Sequence, residues 1–142
     1  MAKSKILRNK TLIVGCSSLG ATITNKYSHE GKNLMVIDKE PKNFSRLSDH
    51  FSGYTITGDI MDLEVLEEAG IRSCAEIIIT TNNDNVNLFV AHIARKLYDV
   101  PNIYVRLTEP DNEILLKGMD VKVIFPLELS YDKFNLLRGG RK

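Results

Sequence analysis

Apolar and β-branched residues along this chain gather into short runs that alternate with segments of helical spacing. The runs are Thr11–Val14, Leu34–Ile37, Tyr54–Thr57, Ile77–Thr80, Ile103–Leu107 and Val121–Phe125, and their length and composition predict six strands. No polar residue interrupts Leu12–Val14, Leu34–Ile37 or Ile77–Ile79. Such runs belong to strands covered on both faces. Between them, Leu19–Glu30 carries Leu19, Ile23 and Tyr27 four residues apart, which predicts a helix with one buried face, ended by Gly31. Pro41 suits the first turn of a short helix reaching about His50. Leu63–Ala69 is a helix between an Asp62 cap and a Gly70 stop. Asn83 or Asp84 caps the next one, with Val86, Phe89, Val90, Ile93 and Leu97 as its apolar stripe. Asp111–Lys117 is a further short helix, and Leu127, Tyr131, Phe134 and Leu137 mark a last one before Gly139-Gly140.

Strands that alternate with helices in this way pair in parallel through right-handed crossovers. The expected fold is α/β, a Rossmann-like doubly wound domain with a six-stranded parallel sheet and helices on both faces. It occupies residues 11–138, after a basic lead over 1–10 (Lys3, Lys5, Arg8, Lys10) and before a tail over 139–142. At 142 residues the chain makes about one domain. A domain of that size buries roughly two-thirds of its unfolded surface, without help from disulfide or metal.

Charge narrows the partners. Nineteen basic residues against 18 acidic ones leave a net charge of +1, which draws the chain neither to nucleic acid nor to an anionic membrane. Cys16 and Cys74 form no metal-ligand pattern, and His29, His50 and His92 are scattered. The basic lead is followed by an apolar run of only Thr11–Val14, too short for a signal peptide or a spanning helix. A cytoplasmic, reducing location is expected.

The loop Gly15-Cys16-Ser17-Ser18-Leu19-Gly20 lies where a strand hands over to a helix, the place of a G-x-G-x-x-G dinucleotide motif. Gly15 can make the tight turn, Gly20 can let helix and strand pack closely, and the helix N-terminus offers amides to a phosphate. Ser17 stands at the middle glycine position, where it either narrows the site or donates its hydroxyl to phosphate. Asp38 ends the second strand roughly 20 residues beyond Gly20, the separation expected of the carboxylate that holds an adenosine ribose. A carboxylate there repels a 2′-phosphate, so NADP is disfavoured. Gly58 and Asp59 follow the third strand, and Thr80, Thr81 and Asn82 follow the fourth. Asp59 can reach an adenine amino group, and the other three can line ribose or phosphate, or serve only as turn and cap residues. Arg106 can reach phosphate or pair with Glu109 or Asp111. Cys16 is either a thiol activated at a helix N-terminus or an inert loop residue. Lys39 and Ile60, next to Asp38 and Asp59, complete the candidate set.

No Tyr-x-x-x-Lys pair, P-loop or G-x-S-x-G elbow accompanies this loop. A binding module is therefore expected rather than an enzyme. Two alternatives remain: the cofactor-binding half of an NAD-dependent oxidoreductase, and a degenerate Rossmann scaffold that serves only assembly.

From Leu12 to about Leu137 the chain resembles the N-terminal nucleotide-binding domain of Trk-type potassium-uptake regulators, the TrkA-N, RCK or KTN domain. The likeness rests on Gly15–Gly20, Val36-Ile37-Asp38-Lys39, Gly58-Asp59, Leu66-Glu67-Glu68-Ala69-Gly70-Ile71, Thr80–Asn85 and Pro101–Arg106. It implies a cytoplasmic subunit, peripheral at the inner face of the membrane, that binds adenine nucleotide (AMP, ADP or ATP) or NAD(H). It also implies a homo-oligomer, dimer or ring, that gates a membrane-embedded potassium channel or transporter. The family's phosphate, ribose and adenine roles fall on Gly15 and Gly20, on Asp38 and on Asp59, and its last helix often crosses to a partner subunit. Ser17 and Ser18 depart from the family's Gly-x-Gly-Arg-x-Gly, which disfavours a triphosphate and leaves AMP, ADP or NAD(H). The C-terminal RCK domain usual in such regulators is not in this sequence, so the chain is either a one-domain version or a piece of a longer protein.

Overall fold

A computed structural model describes residues 7–140. Lys3 and Lys5 of the basic lead, and residues 141–142 of the tail, lie outside the described residues. In chain order the elements are β1 (Lys10–Val14), α1 (Ser18–Ser28), β2 (Leu34–Asp38), β3 (Tyr54–Thr57), α2 (Leu63–Glu68), β4 (Cys74–Ile79), α3 (Asp84–Lys96), β5 (Asn102–Arg106), β6 (Lys122–Ile124) and α4 (Pro126–Leu137). Short 3-10 segments occupy Pro41–Arg46, Ile71–Ser73 and Pro110–Leu116.

All six strands are parallel, in the order β3-β2-β1-β4-β5-β6. The winding therefore reverses between β1 and β4. The central strands are the unbroken apolar runs: Leu12, Ile13, Val14, Val36, Ile37, Ile77 and Ile79 are all fully buried. One face of the sheet gives Leu12, Val14, Ile77, Ile79 and Val105 to a core shared with Leu66 of α2 and Val90, Ala91 and Ala94 of α3. The other gives Ile13, Val36 and Ile78 to Ala21 of α1 and to Phe44 and Phe51. Each fully buried Leu or Ile stabilises the fold by roughly 1.5–3 kcal/mol.

Local chemistry sets the helix ends. Ser17 caps α1 by accepting from the Gly20 amide, Asp62 caps α2 through the Glu64 amide, and Asn83 caps α3 through the Val86 amide. Gly70 ends α2 in the left-handed region, at φ 95°.

Several elements differ from the sequence reading. The segments after Pro41 and around Asp111 are 3-10 rather than α-helical, and the first stops at Arg46. Strand β4 starts three residues earlier than its apolar run, because Glu76 is accommodated there by the hydroxyl of Thr11 at 2.9 Å. The deepest face of α1 is Gly20, Ala21 and Thr24, with Ile23 and Tyr27 packed at its margins. In α3 the buried face is Asn87, Leu88, Val90, Ala91 and Ala94, while Leu97 is 56% exposed and Tyr98 goes inward in its place. Helix α4 buries none of its side chains. Leu127, Tyr131, Phe134 and Leu137, the apolar stripe of this helix, are 59–74% exposed, so within this chain the stripe does not fold back on the sheet. Among the described residues no helix is long and apolar enough to cross a membrane.

Candidate functional site

In open parallel sheets ligands bind beyond the carboxyl ends of the strands, where the winding reverses. Backbone hydrogen bonds bring the ends of four strands to one level here. The Gly15 amide donates to Ile37 O, Gly58 N to Asp38 O, and Thr80 N to Val14 O, each at 2.8–3.1 Å. Above this edge opens a cleft of about 390 Å³, within the range of small-molecule sites. Its walls come from each of these four strand ends: Gly15 and Ser17 after β1, Asp38–Glu40 and Asn43 after β2, Asp59–Met61 after β3, and Thr81–Asn83 with Val86 after β4.

The loop after β1 is held by neighbours on three sides. Gly15 has φ +99°, and a Cβ there would come within 2.8–2.9 Å of Thr81 N, Cα and Cγ2, so only glycine fits. The Cys16 amide donates to Asp38 Oδ2 at 2.8 Å, and the Arg46 guanidinium donates to Cys16 O at 2.9 Å. The Cys16 thiol turns inward and donates to Asn43 O at 3.3 Å. Burial first, and the Asp38 carboxylate second, push its pKa up despite Arg46. Of the two readings of Cys16, the geometry is that of the inert thiol. Burial likewise pushes Cys74 up to about 11.

Ser17 is buried, and its hydroxyl oxygen accepts from Gly20 N at 3.1 Å. One amide of the α1 terminus is thereby satisfied within the protein, while the hydroxyl proton and the first-turn amides of Ser18 and Leu19 remain for an anion. Gly20 sits against β1 and β4: a Cβ would fall 2.2 Å from Gly15 O and 2.5 Å from Thr80 Oγ1. Gly20 and Thr80, both expected at the site, lie behind it and set the helix–sheet spacing. Thr80 Oγ1 donates to Gly15 O at 2.9 Å.

Asp38 is 7% exposed and accepts from Cys16 N, Glu40 N and Asn43 Nδ2 at 2.8, 2.8 and 3.1 Å. Across the cleft, Thr81 is clamped. Asn87 Nδ2 donates to Thr81 O at 3.0 Å and to Arg106 O at 2.8 Å, Arg106 Nη1 donates to Thr81 O at 3.0 Å, and the Thr81 hydroxyl donates to Asn87 Oδ1. Arg106 is thus spent on backbone, not on Glu109 or Asp111. Next in sequence, Asp84 accepts from the Thr108 and Glu109 amides and from Asn112. Partial burial works to raise its pKa, but the Glu109 and Thr108 donors outweigh burial and leave it below the usual carboxylate value.

Eight of the residues expected from sequence line the cleft: Gly15, Ser17, Asp38, Lys39, Asp59, Ile60, Thr81 and Asn82. Cys16, Ser18, Leu19, Gly20, Gly58, Thr80 and Arg106 do not. The side chain of Val65 packs 3.0 Å from where a Cβ of Gly58 would lie. Glu40, Asn43, Met61, Asn83 and Val86 were not expected. Asn83 and Val86 follow a strand end, where proximity to Thr81–Asn82 was the available signal; Asn43 reaches the cleft only through its 3-10 turn. Charged lining residues are Asp38, Glu40 and Asp59 against Lys39, an excess of carboxylate that opposes polyanionic ligands.

The strand order, the cleft at the reversal and the carboxylate ending β2 define a Rossmann-type domain with its small-molecule crevice in the usual place. The TrkA-N domain model matches residues 11–126, and the chain belongs to that family. A Trk system potassium uptake protein TrkA from Streptomyces coelicolor is 28% identical over 131 residues, covering 91% of this chain and 59% of that protein. The chain spans about half the length of the curated relatives it matches. Among solved structures, GsuK bound to ADP superposes with a TM-score of 0.75 at 25% identity, covering 92% of this chain and 34% of that one. The TrkA-N domain of the inner membrane protein ybaL from Escherichia coli superposes with a TM-score of 0.77 at 19% identity, covering 92% and 98%.

Proposed function

We propose that this chain is a nucleotide-sensing module of a potassium-uptake regulator, a binding protein rather than a catalyst. The observation that carries the reading is the convergence of Gly15, Ser17, Asp38, Asp59 and Thr81 on one cleft in a TrkA-N domain. The likeness to GsuK bound to ADP and to a Trk system potassium uptake protein supports it. In this reading the first turn of α1 and the Ser17 hydroxyl receive phosphate, Asp38 receives ribose, and Asp59 with Ile60 meets adenine. Lys39 and Asn82 close the rim. The carboxylate excess favours AMP, ADP or NAD(H) over ATP, and Asp38 with Glu40 disfavours the 2′-phosphate of NADP.

Regulation then needs a second state that holds the nucleotide with different affinity. The exposed apolar side of α4 suits a second copy of the chain, and the homo-oligomer, dimer or ring, works on a membrane-embedded potassium channel or transporter from the cytoplasmic side. The test is a thermal-shift panel with AMP, ADP, ATP, NAD⁺, NADH and NADPH on the wild type and Asp38→Asn. A ligand at about 100 times its Kd adds roughly 2.7 kcal/mol, a rise on the order of 5–15 °C. A rise with AMP, ADP or NAD(H) that Asp38→Asn abolishes is expected. No rise with any nucleotide would leave the domain as an assembly scaffold.

A further inference from the structure

Counting acceptors in the cleft raises a question about the ribose. A ribose diol brings two hydroxyl donors, and a single carboxylate receives both only if each of its oxygens has a lone pair to spare. A carboxylate offers about four acceptor positions, two on each oxygen. On Asp38, Oδ1 already holds two donors, Glu40 N and Asn43 Nδ2, while Oδ2 holds one, the Cys16 amide. Asp38 therefore has one place left, on Oδ2. The second hydroxyl needs another acceptor.

Asn43 supplies it. An ionised carboxylate only accepts, so the bond at 3.1 Å obliges the Asn43 amide to turn its nitrogen toward Asp38. That leaves its carbonyl oxygen as the unspent end of a side chain that lines the cleft. Among the hydrogen bonds of the described residues, Asn43 Oδ1 takes none. The backbone around it is fixed: its amide donates to Glu40 O at 3.0 Å and its carbonyl accepts the Cys16 thiol. Asn43 is thus a prepositioned neutral acceptor on a side chain that already touches the Asp38 carboxylate. We infer that Asn43 and Asp38 read the ribose as a pair, one hydroxyl to Asp38 Oδ2 and the other to Asn43 Oδ1. The inference rests on the nucleotide reading above and deepens it: the ligand carries a free 2′,3′-diol, so ribonucleotides are selected over either deoxy form.

The test is a binding cycle by calorimetry with AMP, 2′-deoxy-AMP and 3′-deoxy-AMP. In the wild type both deoxy compounds bind more weakly. The hydroxyl facing the carboxylate costs on the order of tenfold or more, and the one facing Asn43 about fivefold. In Asn43→Lys, which still offers a donor to Asp38 Oδ1 but has no acceptor, the smaller of the two discrimination ratios collapses to about one, while the larger persists. Asn43→Arg, likewise a donor without an acceptor, guards against misfolding of the lysine variant and is expected to show the same collapse. Both ratios unchanged in a variant that still binds AMP would overturn the role of Asn43 alone. No binding of AMP by the wild type, with NADH also silent, would instead remove the nucleotide reading and the pairing with it.

Discussion

Replacing Gly20 by alanine sets two effects of opposite sign against each other. Gly20 lies in the first turn of α1 with ordinary helical backbone, where alanine is worth about 1 kcal/mol over glycine. Propensity alone therefore predicts a more stable protein. The added Cβ, however, would stand 2.2 Å from Gly15 O and 2.5 Å from Thr80 Oγ1, more than roughly 1 Å inside ordinary contact. Gly15 O is backbone, held in place by the Thr80 hydroxyl, and has no rotamer to escape into. Relief means lifting α1 off β1 and β4, which opens the packing of Ala21 and Thr24. Overpacking of this kind costs about 1–3 kcal/mol. With a rigid partner the upper end applies, so the net loss is about 2 kcal/mol. For a domain of this length that lowers Tm by roughly 6–10 °C, read by circular dichroism at 222 nm. Removing the Thr80 hydroxyl as well, in Gly20→Ala with Thr80→Ala, is expected to restore little, because the closer contact is with the backbone. A Tm equal to or above the wild type in Gly20→Ala would refute the close-approach argument.

Three further outcomes follow from the same geometry. Asn87→Leu should lose about 2–3 kcal/mol in urea unfolding, because it removes the fully buried amide that donates to the Arg106 and Thr81 carbonyls; a change below about 0.5 kcal/mol would show that the clamp is dispensable. Asp84 has a folded pKa below its unfolded one, so its contribution is present above about pH 4 and is lost as pH falls through the folded value. Asp84→Asn should therefore be less stable at pH 7 and show a shallower decline toward acid; parallel pH profiles would contradict this. Phe134→Glu on the exposed face of α4 should leave Tm within a few degrees while shifting the mass seen by light scattering toward the monomer, and an unchanged oligomer would move the contact away from α4.

Much of the site was legible because its signals are local. Gly15 and Gly20 flank a strand–helix junction, and Asp38 ends a run of apolar residues, so both were visible in a single pass. Helix caps and stops at Asp62, Asn83 and Gly70 were legible for the same reason: a cap is made with residues two or three positions away. The buried faces of α1 and α3 were misjudged by about one position. Apolar spacing shows that a helix has a packed side. It does not show how close the helix sits, and Gly20 lets α1 approach until Ala21 and Thr24, not Leu19, meet the sheet.

The sequence by itself determined the order of the elements, the double burial of β1, β2 and β4, and the phosphate-type loop followed by an acidic strand end. Those features follow from side-chain period and local backbone chemistry, which act over a few residues. Only the tertiary structure decided that Asn43 would share a cleft with Asp59 and Val86, that Arg106 would be spent on Thr81, and that Asn87 would join them from inside the fold. It also decided that α4 would carry its apolar side outward. These depend on strand order and on the depth to which each helix is seated, and both are settled by packing between residues far apart in the chain, where no local pattern records the outcome.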